Sequence, residues 1–217
     1  MIIVPAVLAT TKDEFIRQIE SIYALSPTIQ IDIADGLFVP NTTVSIDFIL
    51  AYLKKNQNRF HNHQFDFHLM VKDWKQVQKK IFILHDFIKI HLVLIHYAVW
   101  NTTKKPEIFH ALVFNPQESI DMSTTKQCSA IQIMTITPGK QGSIFLPENL
   151  SKITQLRQWG YTGEILIDGG INNKTLPVVL AQHFLPDTVV VGSYLTTTND
   201  PQTQFSKLKK TIHETAL

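Results

Sequence analysis

The chain has 217 residues, 44% of them hydrophobic and 18% charged, with a formal net charge of +2. That balance excludes a disordered chain and gives no case for a nucleic-acid partner, because the basic residues are scattered rather than gathered into a patch. No run approaches the ~18 apolar residues of a membrane helix, and the start MIIVPAVLATTKDEF lacks the charged head and cleavage site of a signal peptide, so a soluble protein without a membrane partner is expected.

Short β-rich runs recur along the chain: IIVPAVLA (2–9), IQIDIA (29–34), QFDFHLMV (64–71), DFIKIHLV (86–93), IFHALVFN (108–115), AIQIMTIT (130–137), GEILIDGG (163–170) and DTVVVGSY (187–194). Several are apolar nearly throughout, as parallel strands covered on both faces are. Helical patterns lie between most of them. Thr11 can cap DEFIRQIESIYAL, in which Phe15, Ile19, Ile22 and Tyr23 share a stripe. IDFILAYLKKN, WKQVQKKIFIL, NLSKITQLRQWG and PQTQFSKLKKTIHE follow the same period, and NNKTLPVVLAQHF carries Pro177 where a first turn tolerates it. The weakest helical pattern spans 95–107. Eight strands alternating with helices predict one domain over 1–217, a closed (β/α)8 barrel. The alternative, an open doubly wound sheet, is weakened by the lack of a G-x-G-x-x-G after the first strand. The single cysteine, Cys128, forbids a disulfide framework and favours a reducing, cytoplasmic compartment; in its apolar-leaning stretch it reads as a small buried hydrophobe.

In such a barrel, chemistry belongs at the C-terminal ends of the strands. The polar residues assigned there are Gln30, Asp32 and Asp35 on the second strand, Asp66 and His68 on the third, His91 on the fourth and Asp168 on the seventh. Alternation puts Gln30, Asp32 and Ala34 on one face, and Asp66 and His68 on another. Unpaired buried carboxylates cost several kcal/mol, so inward acids that converge hold a metal or act as acid and base. Asp35, followed by Gly36, reads as turn chemistry instead. His68 stands beside two acids and joins them; His61, His63, His85, His96, His110, His183 and His213 are expected to be surface or structural. Glycine loops at Gly139–Gly142, Gly169–Gly170 and Gly192–Ser193 suit phosphate, the last two because they follow strands seven and eight.

The stretches VPAVLA, IDIADGLFVPN, FHLMV, FNP (114–116), IMTITPG, LIDGGIN and VVGS, in that order and spacing, resemble the ribulose-phosphate 3-epimerase family over nearly the whole chain. The resemblance implies a TIM barrel of the ribulose-phosphate-binding type and a phosphorylated ketose substrate, with D-ribulose 5-phosphate and D-xylulose 5-phosphate interconverted through an enediolate. By the same resemblance, Asp32 and Asp168 are the two catalytic acid/base residues. They also hold a divalent cation (zinc, manganese, iron or magnesium) together with His68. Ala9, Met70 and Met134 line the substrate site, and Gly139, Lys140, Gln141, Gly142, Gly169, Gly170, Gly192 and Ser193 match the phosphate loops. The chain departs from the family pattern at four places. Gln30 stands where a metal histidine is usual, Ala9 where a serine supports the catalytic aspartate, Ala34 where a methionine lines the site, and Lys140-Gln141 where the sixth loop has an aromatic and a glycine. Gln30 joins the metal set through its amide oxygen, a neutral, hard donor that suits zinc poorly; Asp32, His68 and Asp168 alone make a three-ligand open site, and in a metal-free variant Gln30 could donate an N–H to the enediolate oxygen. The alternatives are an epimerase for another ketose phosphate and a catalytically silent sugar-phosphate-binding barrel. The resemblance is compatible with a homo-oligomer.

Overall fold

The computed structural model describes residues 1–100, 110–138 and 143–215. In chain order the elements are β1 (Ile2–Val7), α1 (Lys12–Ile22), β2 (Thr28–Ala34), α2 (Ile46–Lys55), α3 (Gln57–Phe60), β3 (Gln64–Met70), α4 (Trp74–Phe82), β4 (Lys89–His96), β5 (His110–Phe114), α5 (Met122–Thr125), β6 (Ala130–Met134), α6 (Ser151–Gln158), β7 (Glu164–Asp168), α7 (Leu176–Leu180), β8 (Thr188–Val191), α8 (Ser193–Thr196) and α9 (Pro201–Thr215). The eight strands close into a parallel barrel in sequence order, and β1 pairs with β8 through Ile2↔Thr188 to Pro5↔Val191.

Strand alternation sorts the core into two clusters. Ala6, Leu92, Leu94, Ala111, Val113, Ala130, Met134, Leu166 and Val190 pack together as the barrel filling. Their sequence neighbours, such as Val7, Val93, Leu112, Ile131, Ile133, Ile167 and Val189, belong to the larger cluster shared with the helices. Burying both faces of each strand explains why the strands read as continuous apolar runs. The helices form as their local signals require. Thr11 caps α1 by accepting from the Glu14 N–H at 3.2 Å, and Phe15, Ile19 and Ile22 turn inward. Phe15 meets the Phe48 and Tyr52 rings edge-on, with centroids 6.1 and 5.6 Å apart. Pro177 sits in the first turn of α7. Among the described residues, no helix is long and apolar enough to cross a membrane. Cys128 is free and buried, and burial pushes its thiol up to about 12, consistent with a packing role.

The fourth strand departs from expectation. It runs Lys89–His96, not 86–93. Phe87 and Ile88 still donate N–H bonds back to the Leu84 carbonyl at 2.8 and 3.0 Å, so the chain leaves α4 in a turn and extends only from Lys89. The three-residue shift moves His91 to the N-terminal part of β4 and brings His96 to its C-terminal end. After His96 a 3-10 turn spans Tyr97–Val99; the rest of the weak helical pattern up to 107 lies, from 101 on, outside the described residues.

Candidate active site

The C-terminal ends of the strands bring three acid and histidine side chains together. Asp32 on β2 is in register with His68 on β3, and Met134 on β6 with Asp168 on β7. The two aspartates are 136 residues apart in the chain, yet one amide joins them. The Nε2 of Gln30, fully buried, donates to Asp32 Oδ1 and to Asp168 Oδ2, both at 2.9 Å. Gln132 on β6 donates to the same Asp168 Oδ2 at 3.0 Å. His68 Nδ1 lies 3.2 Å from Asp32 Oδ1 and 3.5 Å from Asp168 Oδ2. One oxygen of each carboxylate is thus engaged by protein groups. Among the described residues no hydrogen bond engages Asp32 Oδ2 or Asp168 Oδ1, and both residues line the cavity at the barrel mouth.

Charge in this pocket is set by crowding. Burial pushes the Asp168 carboxyl up to about 7, the negative charge of Asp32 adds to the rise, and His68, Gln30 and Gln132 work against it. Burial works to lower His68, but the Asp32 hydrogen bond and the charges of Asp32 and Asp168 outweigh it and raise the imidazole.

His96, expected to be surface or structural, belongs to this cluster. It is fully buried, and its Nε2 lies 2.9 Å from His68 Nε2. Phe38, in the loop after β2, packs on its ring with centroids 4.6 Å apart. Burial drives His96 well below the ordinary imidazole value, with the charge of His68 acting the same way and the Asn115 side chain against it. Gln132 was also not singled out. Both could have been found by counting alternate positions back from a strand end: Leu92, Leu94, His96 and Ala130, Gln132, Met134 are inward triplets.

The other candidate residues divide clearly. Met70, Met134, Gly169, Gly170, Gly192 and Ser193 line the same cavity as Asp32, His68 and Asp168. Gly169 and Gly170 adopt φ of 118° and 70°, and a Cβ on Gly169 would run into Ile136, so this corner is open to glycine alone. Thr135 pins it by donating from Oγ1 to the Asp168 and Gly169 carbonyls at 3.0 and 2.6 Å. Ala9 does not line the cavity; it is buried in the outer core, and its carbonyl accepts from Val44 N–H at 2.9 Å. Gly139, Lys140, Gln141 and Gly142 lie outside the described residues. Asp35 is a turn residue as expected, accepting from the N–H groups of Leu37, Phe38 and Lys72 at 2.8 Å each.

Asp66 and His91 require a correction: both sit toward the N-terminal ends of β3 and β4, at the far side of the barrel from the site. His91 Nδ1 is 2.8 Å from Asp66 Oδ1, which also accepts Leu92 N–H at 3.1 Å. His91 Nε2 lies 3.9 Å from Glu164, the first residue of β7, and Thr188 at the start of β8 donates to Glu164 at 2.7 Å.

The donor set at the C-terminal end fits a divalent cation. Asp32, His68 and Asp168 each offer a ligand atom, and these atoms all lie within 4.8 Å of one another. Two carboxylate oxygens and an imidazole nitrogen suit zinc and other first-row divalent ions, as three-ligand catalytic sites do. Gln30 presents its nitrogen to the carboxylates, and its Oε1 is buried without a partner. A half-turn of the amide would bring that oxygen to face the carboxylates in place of the nitrogen.

Residues 2–196 match the family model described as the "Ribulose-phosphate 3 epimerase family". The ribulose-phosphate 3-epimerase of Synechocystis is 29% identical over 219 residues, covering 89% of this chain and 86% of that protein. The one from Methanocaldococcus jannaschii is 28% identical over 192 residues, covering 85% and 79%. Among solved structures, 3-hexulose-6-phosphate synthase from Salmonella typhimurium superposes with a TM-score of 0.65 at 12% identity, covering 99% of this chain and 100% of that one; that likeness speaks to the fold.

Proposed function

This chain belongs to the ribulose-phosphate 3-epimerase family, and on that premise we propose that it interconverts D-ribulose 5-phosphate and D-xylulose 5-phosphate by two-base proton transfer at carbon 3. The observation that carries this reading is the joining of Asp32 and Asp168 across the barrel, both on one cavity that Gly169, Gly170 and Gly192 also line. A proton beside a carbonyl is weakly acidic, and inverting the carbon needs one group to remove the proton from one face and another to return it to the other. Asp168, raised to about 7 by burial and the nearby charge of Asp32, exchanges its proton near neutral pH, as a group that both takes and returns one must. Without a cation, the inner oxygens are bonded to Gln30, Gln132 and His68, which fixes the carboxylates against rotation. Gly169, Gly170, Gly192 and Ser193 give the phosphate backbone N–H groups that no side chain obstructs. Asp32, His68 and Asp168 would hold the divalent cation, with Oε1 of a turned Gln30 as a fourth, weaker donor. Such a cation supplies Lewis-acid stabilisation of negative charge on the oxygen beside the reacting carbon.

One observation favours a second reading, a barrel that binds a ketose phosphate without turning it over. The Gln30 amide stands between the two carboxylates as the structure has it. Proton exchange in heavy water separates the two. With ribulose 5-phosphate, deuterium is expected to enter carbon 3 in the presence of added zinc or manganese, and NMR reads it directly. Exchange that persists with chelator makes Gln30 the group that faces the developing charge. Exchange with a six-carbon ketose phosphate but not the five-carbon one moves the substrate. No exchange in any tube, with phosphate ligands still raising Tm, leaves the silent barrel standing.

A further inference from the structure

Two imidazole nitrogens 2.9 Å apart share one proton: one ring must donate and the other must accept. His68 and His96 meet in this way through their Nε2 atoms. The rings lie nearly parallel, at 27°. Which ring donates decides what the other face of His68 can do. If His96 donated, the proton of neutral His68 would sit on Nδ1, and no lone pair would face Asp32 and Asp168. If His96 accepts, His68 Nε2 carries the proton, and Nδ1 is left to offer a lone pair, or a second proton, toward the carboxylates 3.2 and 3.5 Å away.

The surroundings of His96 favour the second arrangement. It makes no ion pair among the described residues, and the Phe38 ring covers it. In the shared bond it is either donor or acceptor, and the acceptor keeps its lone pair on Nε2 and its proton on Nδ1. Among the described residues its Nδ1 is buried with no hydrogen-bond partner, and so is the Oδ1 of Asn115, whose side chain lies against it. An N–H on Nδ1 would face that acceptor, which leaves the lone pair on Nε2 for His68. We propose that His96 is a positioning residue that keeps the proton of His68 on Nε2 and so turns a usable Nδ1 toward the two aspartates. This role rests on the reading of His68 as part of the reacting site, and it touches neither substrate nor reacting atoms. Partners that orient a liganding histidine through its second nitrogen typically change metal affinity about 10–100-fold when lost.

Two measurements on the full chain test it. With 15N-labelled histidine, ring-nitrogen NMR is expected to show His68 Nε2 protonated and His96 Nε2 bare, the signals being assigned through His96→Gln and His68→Gln. The reverse pattern overturns the role whatever the metal does. In the second, metal-stripped protein is titrated with zinc by calorimetry. His96→Phe, which fills the space but accepts nothing, is expected to weaken zinc about 10–100-fold. His96→Gln, whose Oε1 accepts the same bond, is expected to recover most of the loss. Equal affinity in His96→Phe, or equal weakening in both variants, sinks the positioning role, the latter by pointing to packing alone. A wild-type chain that binds no zinc would overturn the metal part of the proposed function, and the NMR pattern would then decide for His96 alone.

Discussion

The two ends of this barrel use the same residue types to opposite ends. Near the N-termini of the strands, His91 bridges Asp66 and Glu164, the backbone N–H of Leu92 and the hydroxyl of Thr188 add to their bonding, and Asp66 Oδ2 is buried away from any cavity with no hydrogen-bond partner among the described residues. At the C-termini, Asp32, His68 and Asp168 converge, and among the described residues they alone make a group of three with ligand atoms within 4.8 Å. In the first cluster the histidine stands between the acids and joins opposite sides of the barrel. In the second an amide stands between the acids, the histidine approaches from beside them, and each carboxylate keeps an oxygen on a cavity. Acid and histidine at strand ends therefore do not identify a site. What distinguishes one is convergence of the carboxylates on a cavity.

The largest effect that would break this contrast is at the catalytic end. Asp168→Asn is expected to slow proton exchange at carbon 3 by about 10³-fold or more, while Tm stays level or rises, because a buried charge is removed; NMR exchange and calorimetry together check it. At the other end His91→Leu should do the reverse. It strands the fully buried Asp66 carboxylate, and the expected loss is about 2 kcal/mol, reduced from the ~3–5 of a fully buried pair because His91 meets solvent along one edge. That corresponds to roughly 4–8 °C in Tm with turnover unchanged. Exchange that falls along with Tm would join the two ends into one unit.

Titration sharpens the contrast further. Asp168 rises from 3.8 to about 7, so the folded chain holds that proton better than the unfolded one. Its contribution is fully present below 3.8 and is lost as pH climbs to and through 7. His91 is raised above 6.5, first by its bond to Asp66 against the pull of burial, so its contribution is full below 6.5 and is lost only as pH passes that raised value. In chelated protein, Tm should decline with pH in both windows. Asp168→Asn should flatten the lower one and His91→Leu the upper. The smallest expected effect is Gln132→Leu, which removes one of the two amide donors to Asp168 Oδ2 and should slow exchange about fivefold, near 1 kcal/mol, with KM little changed. Unaltered kinetics would make Gln132 a packing residue.

Much of this was legible in the chain. Eight apolar runs separated by helical periods specify a closed parallel barrel, because only burial on both faces produces such runs. Asp32, His68 and Asp168 were legible because each is a polar residue placed where an apolar one would pack. The fourth strand was not, since IKIHLVLIH is apolar over its length and period two marks no boundary within it. That one ambiguity put His91 at the wrong end and hid His96. The role of Gln30 was half legible. Its inward direction follows from alternation, but the bond to a carboxylate five strands later in the chain depends on how the barrel closes, which no local pattern encodes.

The pairing of β1 with β8 also governs how the chain reaches this state. Ile2 waits for Thr188, so the seam cannot close until nearly the whole polypeptide has left the ribosome. Until then β1 and the last strand formed both present bare edges to any neighbouring chain, and the contact between them is among the most distant in sequence that the fold contains. The candidate site draws on strands two to seven and is completed by the residues after β8, so its assembly and closure of the cylinder are one late event. Slowing that final step, by loosening β8 or by lengthening the stretch before it, should show as nascent chains that aggregate before any site exists.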